Sequence, residues 1–115
     1  MSYSVTITDK ADEDLRSIFE YIAFDLHSRI NAARQINRLE EAINSLSEMP
    51  KRFSLYGNEP WRSRGLRMMP VDNYCVLYIA CDDTLSVEIL RVMYGGRNIK
   101  QIMDEYSEEN RNGEK

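Results

Sequence analysis

The sequence predicts one α+β domain with the element order β-α-α-β-β-β-α, in which a small, twisted, mainly antiparallel sheet packs against an N-terminal helical hairpin. Three observations support this fold class. Apolar residues recur at helical spacing in the first half of the chain, three β-branched or aromatic runs follow between 65 and 93, and hairpin-sized turns separate those runs. A chain of 115 residues fits a single domain, because it buries about two-thirds of its extended surface on folding.

The first three predicted elements are a strand and two amphipathic helices. The opening strand has the alternation of a half-buried strand, with Tyr3, Val5 and Ile7 on one face. Thr8 and Asp9 then offer N-cap oxygens to a helix over about 10–26. A second helix of roughly 20 residues follows a break at 27–28 and ends at Pro50, with the predicted apolar stripe Ile30, Ala33, Ile36, Ile43 and Leu46. Because each helix has one stripe to bury, the two fold back as an antiparallel hairpin.

The second half of the chain is predicted to be mostly strand. An irregular connection over 50–62 precedes three runs at 65–71, 74–81 and 85–93, which read as consecutive antiparallel strands. Asn98 can cap a short final helix from Ile99 to about Tyr106, and Ile102, Met103 and Tyr106 are expected to dock on the sheet. The predicted domain spans 1–107, followed by a polar, disordered tail over 108–115.

Composition excludes several function classes. No apolar run approaches the ~20 residues that a bilayer requires, and the amino terminus lacks the order of a signal peptide, so we expect a cytoplasmic protein with no membrane partner. Cys75 and Cys81 lie in one predicted strand about 20 Å apart and cannot bridge. With one His and two badly spaced Cys, neither a metal nor a cofactor is expected.

Charge is unevenly distributed along the chain. The formal net charge is -4, yet the segment 50–67 carries five basic residues against the single acid Glu59, and is therefore +4. Such a segment predicts at most one anion-facing surface, with a solvated charged loop as the alternative. The acidic whole argues against nonspecific nucleic-acid binding.

Three segments give the sequence a resemblance to a known group of proteins. They run from Val5 to Leu15, from Gly65 to Tyr78, and from Ile89 to Asn98, the last reading Ile-Leu-Arg-Val-Met-Tyr-Gly-Gly-Arg-Asn. In order and spacing they resemble the RelE/ParE superfamily of bacterial type II toxin-antitoxin toxins, over about residues 3–103. The resemblance implies a growth-inhibiting toxin neutralised by a cognate antitoxin, whose carboxy-terminal segment wraps it.

Two toxin mechanisms occur in this superfamily, and the resemblance leaves open whether the chain is an enzyme. RelE-like members are ribosome-dependent endoribonucleases that cut mRNA through the 2'-hydroxyl. Such chemistry needs a base, an acid and cations around the phosphate. On this reading Arg67, Tyr94 and Arg97 would be catalytic, with Arg64 beside Arg67.

The sequence is more similar to the ParE-like, plasmid-stabilisation branch, whose members inhibit DNA gyrase through a protein interface. Many ParE members end with His-Gly-Arg-Arg-Asp, and here Tyr94 stands at the His, Gly96 at the first Arg and Asn98 at the Asp. The RelE-like reading is weakened by Cys75 where many relatives have Arg, by a carboxy-terminal region without His, and by a pI of 5.0. The expected target- or antitoxin-binding residues are Trp61, Arg62, Arg64, Arg67, Arg91, Tyr94 and Arg97. A third alternative is an inactive toxin-fold module that only binds an antitoxin.

Three of these residues also have purely structural interpretations. Trp61 is more often a core lid than an interface anchor, and Arg67 can pair with a sheet acid such as Glu88. Alternation puts Arg91 on the apolar face of Val87 and Ile89. A cation there must snorkel to solvent at the sheet edge, which we favour, or pair with an acid, or meet an acidic ligand.

Overall fold

The computed structural model describes the backbone of residues 2–113 and the side chains of residues 2–106. The sheet is built from β1 (Ser4–Ile7), β2 (Leu66–Val71), β3 (Tyr74–Cys81) and β4 (Ser86–Tyr94). The helices are α1 (Asp9–Glu20), α2 (Arg29–Asn44), α3 (Trp61–Arg64) and α4 (Ile99–Gly113). A π-helical turn over Tyr21–Asp25 extends α1, and two 3-10 turns, Ser45–Ser47 and Pro50–Arg52, follow α2. The α+β class and the element order are confirmed, with the short α3 as an addition.

The four strands form one sheet in the order β1-β4-β3-β2. β2, β3 and β4 are consecutive and antiparallel, whereas β1 pairs with β4 in parallel. The last β1–β4 pair is Ile7 with Ile89, so β4 continues beyond the end of β1. The mainly antiparallel sheet is therefore confirmed, and one edge of β4 is left without a neighbouring strand at its carboxyl end.

The helical hairpin covers one face of this sheet. The hairpin-side core joins helix residues to strand residues, and its fully buried members include Ala11, Leu39, Leu46, Val76, Tyr78 and Ile89. The prediction for the α2 stripe is confirmed at Ile43 and Leu46 but wrong at Ile30, which is 69% exposed, and at Ala33. Ala32 is buried instead, against Ile22 and Ala23, because a small side chain lets the two helices approach closely at the hairpin tip.

The opposite face of the sheet is covered by α3 and α4. Trp61 is 2% exposed and belongs to a second core that includes Leu66, Leu77, Met93, Ile99 and Met103. Its indole Nε1 donates a hydrogen bond to the carbonyl of Met103 at 2.9 Å, which fixes α4 to α3. The predicted docking of the final helix through Met103 is confirmed. The helix continues to Gly113, beyond the predicted end near Tyr106. The predicted disordered tail stays a prediction, since side chains after 106 and residues 114–115 lie outside the described part.

A β-bulge in β4 changes which side chains share a face. Tyr78 pairs with Ile89, but Leu77 pairs with Arg91, so Leu90 is an extra residue. Ile89 belongs to the hairpin-side core, yet beyond the bulge the residue on that side is Val92. The alternation that grouped Arg91 with Val87 and Ile89 therefore fails at Arg91.

Candidate functional site

A cavity of about 790 Å³ lies between α1 with its π-helical turn and the free edge of β4. We call it the α1–β4 groove; its lining includes Lys10, Asp14, Tyr21, Tyr74, Tyr94 and Arg97. The groove exists because the chain leaves the sheet at Thr8. The Thr8 hydroxyl donates to the Ile89 carbonyl at 2.8 Å and accepts from the Ala11 N–H at 3.2 Å, so α1 begins where β1 pairing ends.

A buried ion pair forms part of the groove wall. The Arg91 Nε donates to Oδ2 of Asp14 at 2.7 Å, and its second nitrogen donates to Oδ1 at 3.0 Å. The same carboxylate accepts the backbone N–H of Val92 at 2.9 Å, next to the bulge. Arg91 is only 7% exposed. Pairing is therefore the explanation for this cation, and the favoured snorkelling at the sheet edge is wrong. Two of the five N–H donors of Arg91 are thus directed at Asp14.

Tyr94 stands at the mouth of the groove, with 54% of its surface exposed. Its ring lies edge-on to Tyr74, with the ring centroids 6.0 Å apart and an interplanar angle of 77°. Burial raises the pKa of Tyr74, and the nearby Tyr21 and Tyr94 raise it further, so Tyr74 acts as a neutral aromatic wall. The exposed Arg97 follows in a turn closed by its N–H, which donates to the Tyr94 carbonyl at 3.1 Å. The fold thus brings Tyr94 and Arg97 together.

Arg67 lies outside the lining of the α1–β4 groove. Its guanidinium donates to the carbonyls of Phe53 at 2.6 Å and Lys51 at 3.3 Å, and the predicted pairing with Glu88 is not what holds it. Arg67 pairs with Tyr78 across the sheet, whereas Tyr94 pairs with Tyr74. Their partners Tyr78 and Tyr74 are four residues apart along β3, and β2 and β4 lie on opposite sides of β3. The backbones of Arg67 and Tyr94 are therefore about 16 Å apart. The three residues predicted to be catalytic in a ribonuclease are therefore not assembled around one point.

The basic segment 50–67 is largely used inside the molecule. Lys51 pairs with Asp82, Arg52 donates to the Glu48 carbonyl at 2.6 Å, and Arg67 is held as described. Arg62 and Arg64 stay exposed on α3, with the Arg64 guanidinium 5.3 Å from the Trp61 ring centre. Trp61 itself is buried, and its indole N–H is bonded. The predicted binding residues therefore fall into a groove set of Arg91, Tyr94 and Arg97, an exposed pair on α3, and two residues held inside the fold.

An exposed apolar cluster, which sequence reasoning missed, adjoins the groove at the hairpin tip. It consists of Tyr21, Phe24, Leu26 and Ile30, which are 52–69% exposed. The signal was present in the run from Phe19 to Leu26, which has apolar residues around the whole helix rather than on one face. Apolar side chains concentrated in this way mark interaction surfaces.

Two further kinds of site were sought in the described part of the chain. Among those residues, no group of three or more His, Cys, Asp or Glu side chains is placed to hold a metal ion. None of the helices described is both long and apolar enough to cross a membrane.

The fold is similar to those of several solved structures. The chromosomal ParDE toxin-antitoxin system of P. aeruginosa superposes with a TM-score of 0.64 at 18% identity, covering 81% of this chain and 96% of that one. The RelBE2 toxin-antitoxin complex of Mycobacterium tuberculosis gives a TM-score of 0.58 at 25% identity, covering 82% and 99%. Free E. coli toxin RelE, as a mutant, gives 0.61 at 13% identity, covering 88% and 92%. Among curated proteins, no sequence match was found.

A family comparison covers most of the sequence. The family described as the ParE toxin of the type II toxin-antitoxin system, parDE, matches residues 5–99. The predicted place in the RelE/ParE superfamily, on its ParE-like branch, is confirmed. The chain therefore belongs to the ParE toxin family and is the toxin component of a type II toxin-antitoxin system, with a cognate antitoxin as its partner.

Proposed function

We propose that this toxin stops growth in the cytoplasm by binding a protein target such as DNA gyrase, and not by cleaving mRNA. The separation of Arg67 from Tyr94 carries the proposal. Cleavage through the 2'-hydroxyl needs a base, an acid and cations within hydrogen-bond reach of one phosphate. Arg67 is bonded to two backbone carbonyls, and its backbone lies about 16 Å from that of Tyr94. A tyrosine and one arginine are left, which is a poor set for that chemistry.

The surface around the α1–β4 groove also suits a protein partner. It combines an exposed tyrosine and arginine, Tyr94 and Arg97, with the apolar hairpin tip. Aromatic residues and Arg are the residue types enriched in protein interfaces. A ribosome- or RNA-binding surface favours a basic stripe, whereas this chain has a net charge of -4 and uses most of its 50–67 cations internally.

Neutralisation by the antitoxin follows from the same surface. We propose that the antitoxin covers the α1–β4 groove, so that Tyr94 and Arg97 are masked from the target while it is bound. Arg62 and Arg64 on α3 lie outside the groove lining and form a second, smaller contact in this proposal.

The experiment is inducible expression in a bacterium without the antitoxin, with DNA and protein synthesis followed separately by pulse labelling. We expect early loss of DNA synthesis with translation intact. Early loss of translation with cleaved messages would instead support the ribonuclease, and the absence of growth arrest would support an inactive antitoxin-binding module. Either result contradicts the proposal.

One pair of variants ties the effect to the groove. Arg97→Ala removes an exposed cation of the groove and should reduce inhibition of purified gyrase about tenfold, which is the effect of losing a contact of ~1.4 kcal/mol. Arg16→Ala is the matched control, because Arg16 is an exposed cation on α1 outside the groove lining, paired with Asp12. Equal inhibition by both variants would rule out a contribution from Arg97.

A further inference from the structure

We infer that Gly96 is a positioning residue for Tyr94. Because residue 96 has no side chain, the Tyr94 ring can lie at the mouth of the α1–β4 groove, and any Cβ at 96 displaces it. The inference deepens the proposed function and rests on it, since it matters to growth inhibition only if Tyr94 contacts the target.

The evidence is the space around Gly96. A Cβ built there would lie 2.6 Å from Cε2 and 3.2 Å from Cδ2 of the Tyr94 ring, and real Cβ atoms essentially never come closer than 3.0 Å to a neighbour. The backbone gives no separate reason for glycine, since the glycines with positive φ in the described part are Gly57 and Gly65. A side chain at 96 therefore requires the Tyr94 ring to leave its present position.

A second contact holds the ring from another side. Tyr74 lies edge-on to Tyr94 at 6.0 Å, and Tyr74 itself packs against the hairpin-side core. Because Tyr94 is about half exposed, burial alone does not fix its ring. The close approach to Gly96 and the edge contact with Tyr74 together select one orientation.

That orientation gives Tyr94 its place between two cavities. The ring borders the α1–β4 groove and also a smaller cavity of about 260 Å³, lined by residues that include Pro70, Cys75 and Gly95. A displaced ring would change the shape of the groove beside Arg97. A tyrosine that is already oriented loses little conformational entropy when it binds, so the contact with Gly96 favours binding by preorganisation.

The neighbouring glycine provides a matched control. A Cβ at Gly95 would meet the Asn73 carbonyl at 3.3 Å and the Cys75 Sγ at 3.5 Å. Gly95→Ala and Gly96→Ala make the same change at adjacent positions of one turn, with similar effects on the unfolded chain. They differ in what the new Cβ meets, which is the Tyr94 ring from position 96 and the Asn73 carbonyl with the Cys75 Sγ from position 95.

The experiment is a double-mutant cycle on the full-length toxin. Growth arrest is titrated with inducer for the wild type, Gly95→Ala, Gly96→Ala, Tyr94→Ala and the double variant Tyr94→Ala with Gly96→Ala. We expect Gly96→Ala to weaken toxicity about as much as Tyr94→Ala, roughly tenfold, and to add nothing once Tyr94 is gone. Gly95→Ala should stay within about twofold of the wild type.

The position of the ring is read directly by NMR on the purified proteins, with circular dichroism melting to confirm folding. Nuclear Overhauser contacts between the Tyr94 and Tyr74 rings should vanish in Gly96→Ala and persist in Gly95→Ala. Unchanged ring contacts in Gly96→Ala, its full toxicity, or an additive loss in the double variant would each overturn the inference. These readouts do not depend on which pathway stops first, so a translation arrest in the pulse-labelling experiment would refute the protein target and leave the cycle intact.

Discussion

Replacing Asp14 with alanine should destabilise this fold far more than replacing any exposed acid. The change strips Arg91 of its partner and leaves the Val92 N–H without its acceptor, so three hydrogen bonds are lost. Both side chains of the pair are nearly buried, with 9% of the Arg91 and 12% of the Asp14 side chain exposed. The guanidinium is left charged in a place that water reaches poorly.

The magnitude follows from the burial of the pair. Removing one partner of a buried ion pair costs about 3–5 kcal/mol, because the remaining charge is uncompensated. A domain of 115 residues has a total stability of roughly 6–17 kcal/mol at 0.05–0.15 kcal/mol per residue. Asp14→Ala therefore removes a large share of the total, and it should lower Tm by about 12–20 °C at roughly 4 °C per kcal/mol.

The assay is urea unfolding followed by tryptophan fluorescence. Trp61 is the single tryptophan of the chain and is 2% exposed, so its emission reports loss of the core. Asp12→Ala is the control: Asp12 also pairs with an arginine, Arg16, on the same helix, but the two side chains are 52% and 72% exposed. Exposed pairs of this kind contribute about 0–1 kcal/mol.

Two results would refute this reasoning. The first is a loss in Asp14→Ala no larger than that in Asp12→Ala. The second comes from the double variant Asp14→Leu with Arg91→Met, which removes both charges. Apolar replacement of a whole buried pair is often neutral or stabilising. The double variant should therefore regain the part of the stability that the stranded charge removes, although the Val92 N–H stays unpaired. A loss as large as that of Asp14→Ala would mean that the stranded charge is not the cause.

Two further predictions concern how the periphery is tied to the sheet. Hydrogen bonds from Arg38 and Gln35 lower the pKa of Asp72 below its ordinary 3.8, so the stabilisation is present above that pH and is lost as pH falls through the lower folded value. Asp72→Asn should therefore make Tm less dependent on pH below about 4, as measured by calorimetry, and an unchanged acid profile would contradict this. Trp61→Phe keeps an aromatic ring but loses the pyrrole part of the indole and its hydrogen bond to Met103, so unfolding by circular dichroism should show a cost of at least about 1–2 kcal/mol, with faster amide exchange in α4 than in β3. A uniform rise in exchange would contradict the specific link to α4.

Local signals made the strands and turns predictable. The turns at 72–73 and 82–84 carry residues that favour tight reversals, and β2, β3 and β4 differ from their predicted ends by at most one residue. The buried face of α2 was harder to predict, because the apolar residues of this helix outnumber those that one stripe can hold. Which of them are buried depends on the packing of Ala32 against Ala23, a tertiary contact that helical periodicity does not record.

The site was less predictable, because its geometry depends on register. Tyr94 and Arg97 come together since they are three residues apart in the sequence, and Tyr74 joins them only through the β3–β4 pairing. The predicted face of Arg91 was wrong because β4 is apolar on both faces around the bulge, so alternation carries no information there. Its partner Asp14 is 77 residues away along the chain.

The basic segment 50–67 shows how a charge count misleads when the backbone is ignored. The connection there is irregular, and irregular backbone leaves carbonyl groups that no helix or strand ladder satisfies. Arg52 and Arg67 supply donors to such carbonyls at Glu48, Met49, Lys51 and Phe53. These cations therefore stabilise the connection rather than face an anion. The exposed cations of the groove lining are instead Lys10 and Arg97, the latter close to Tyr94.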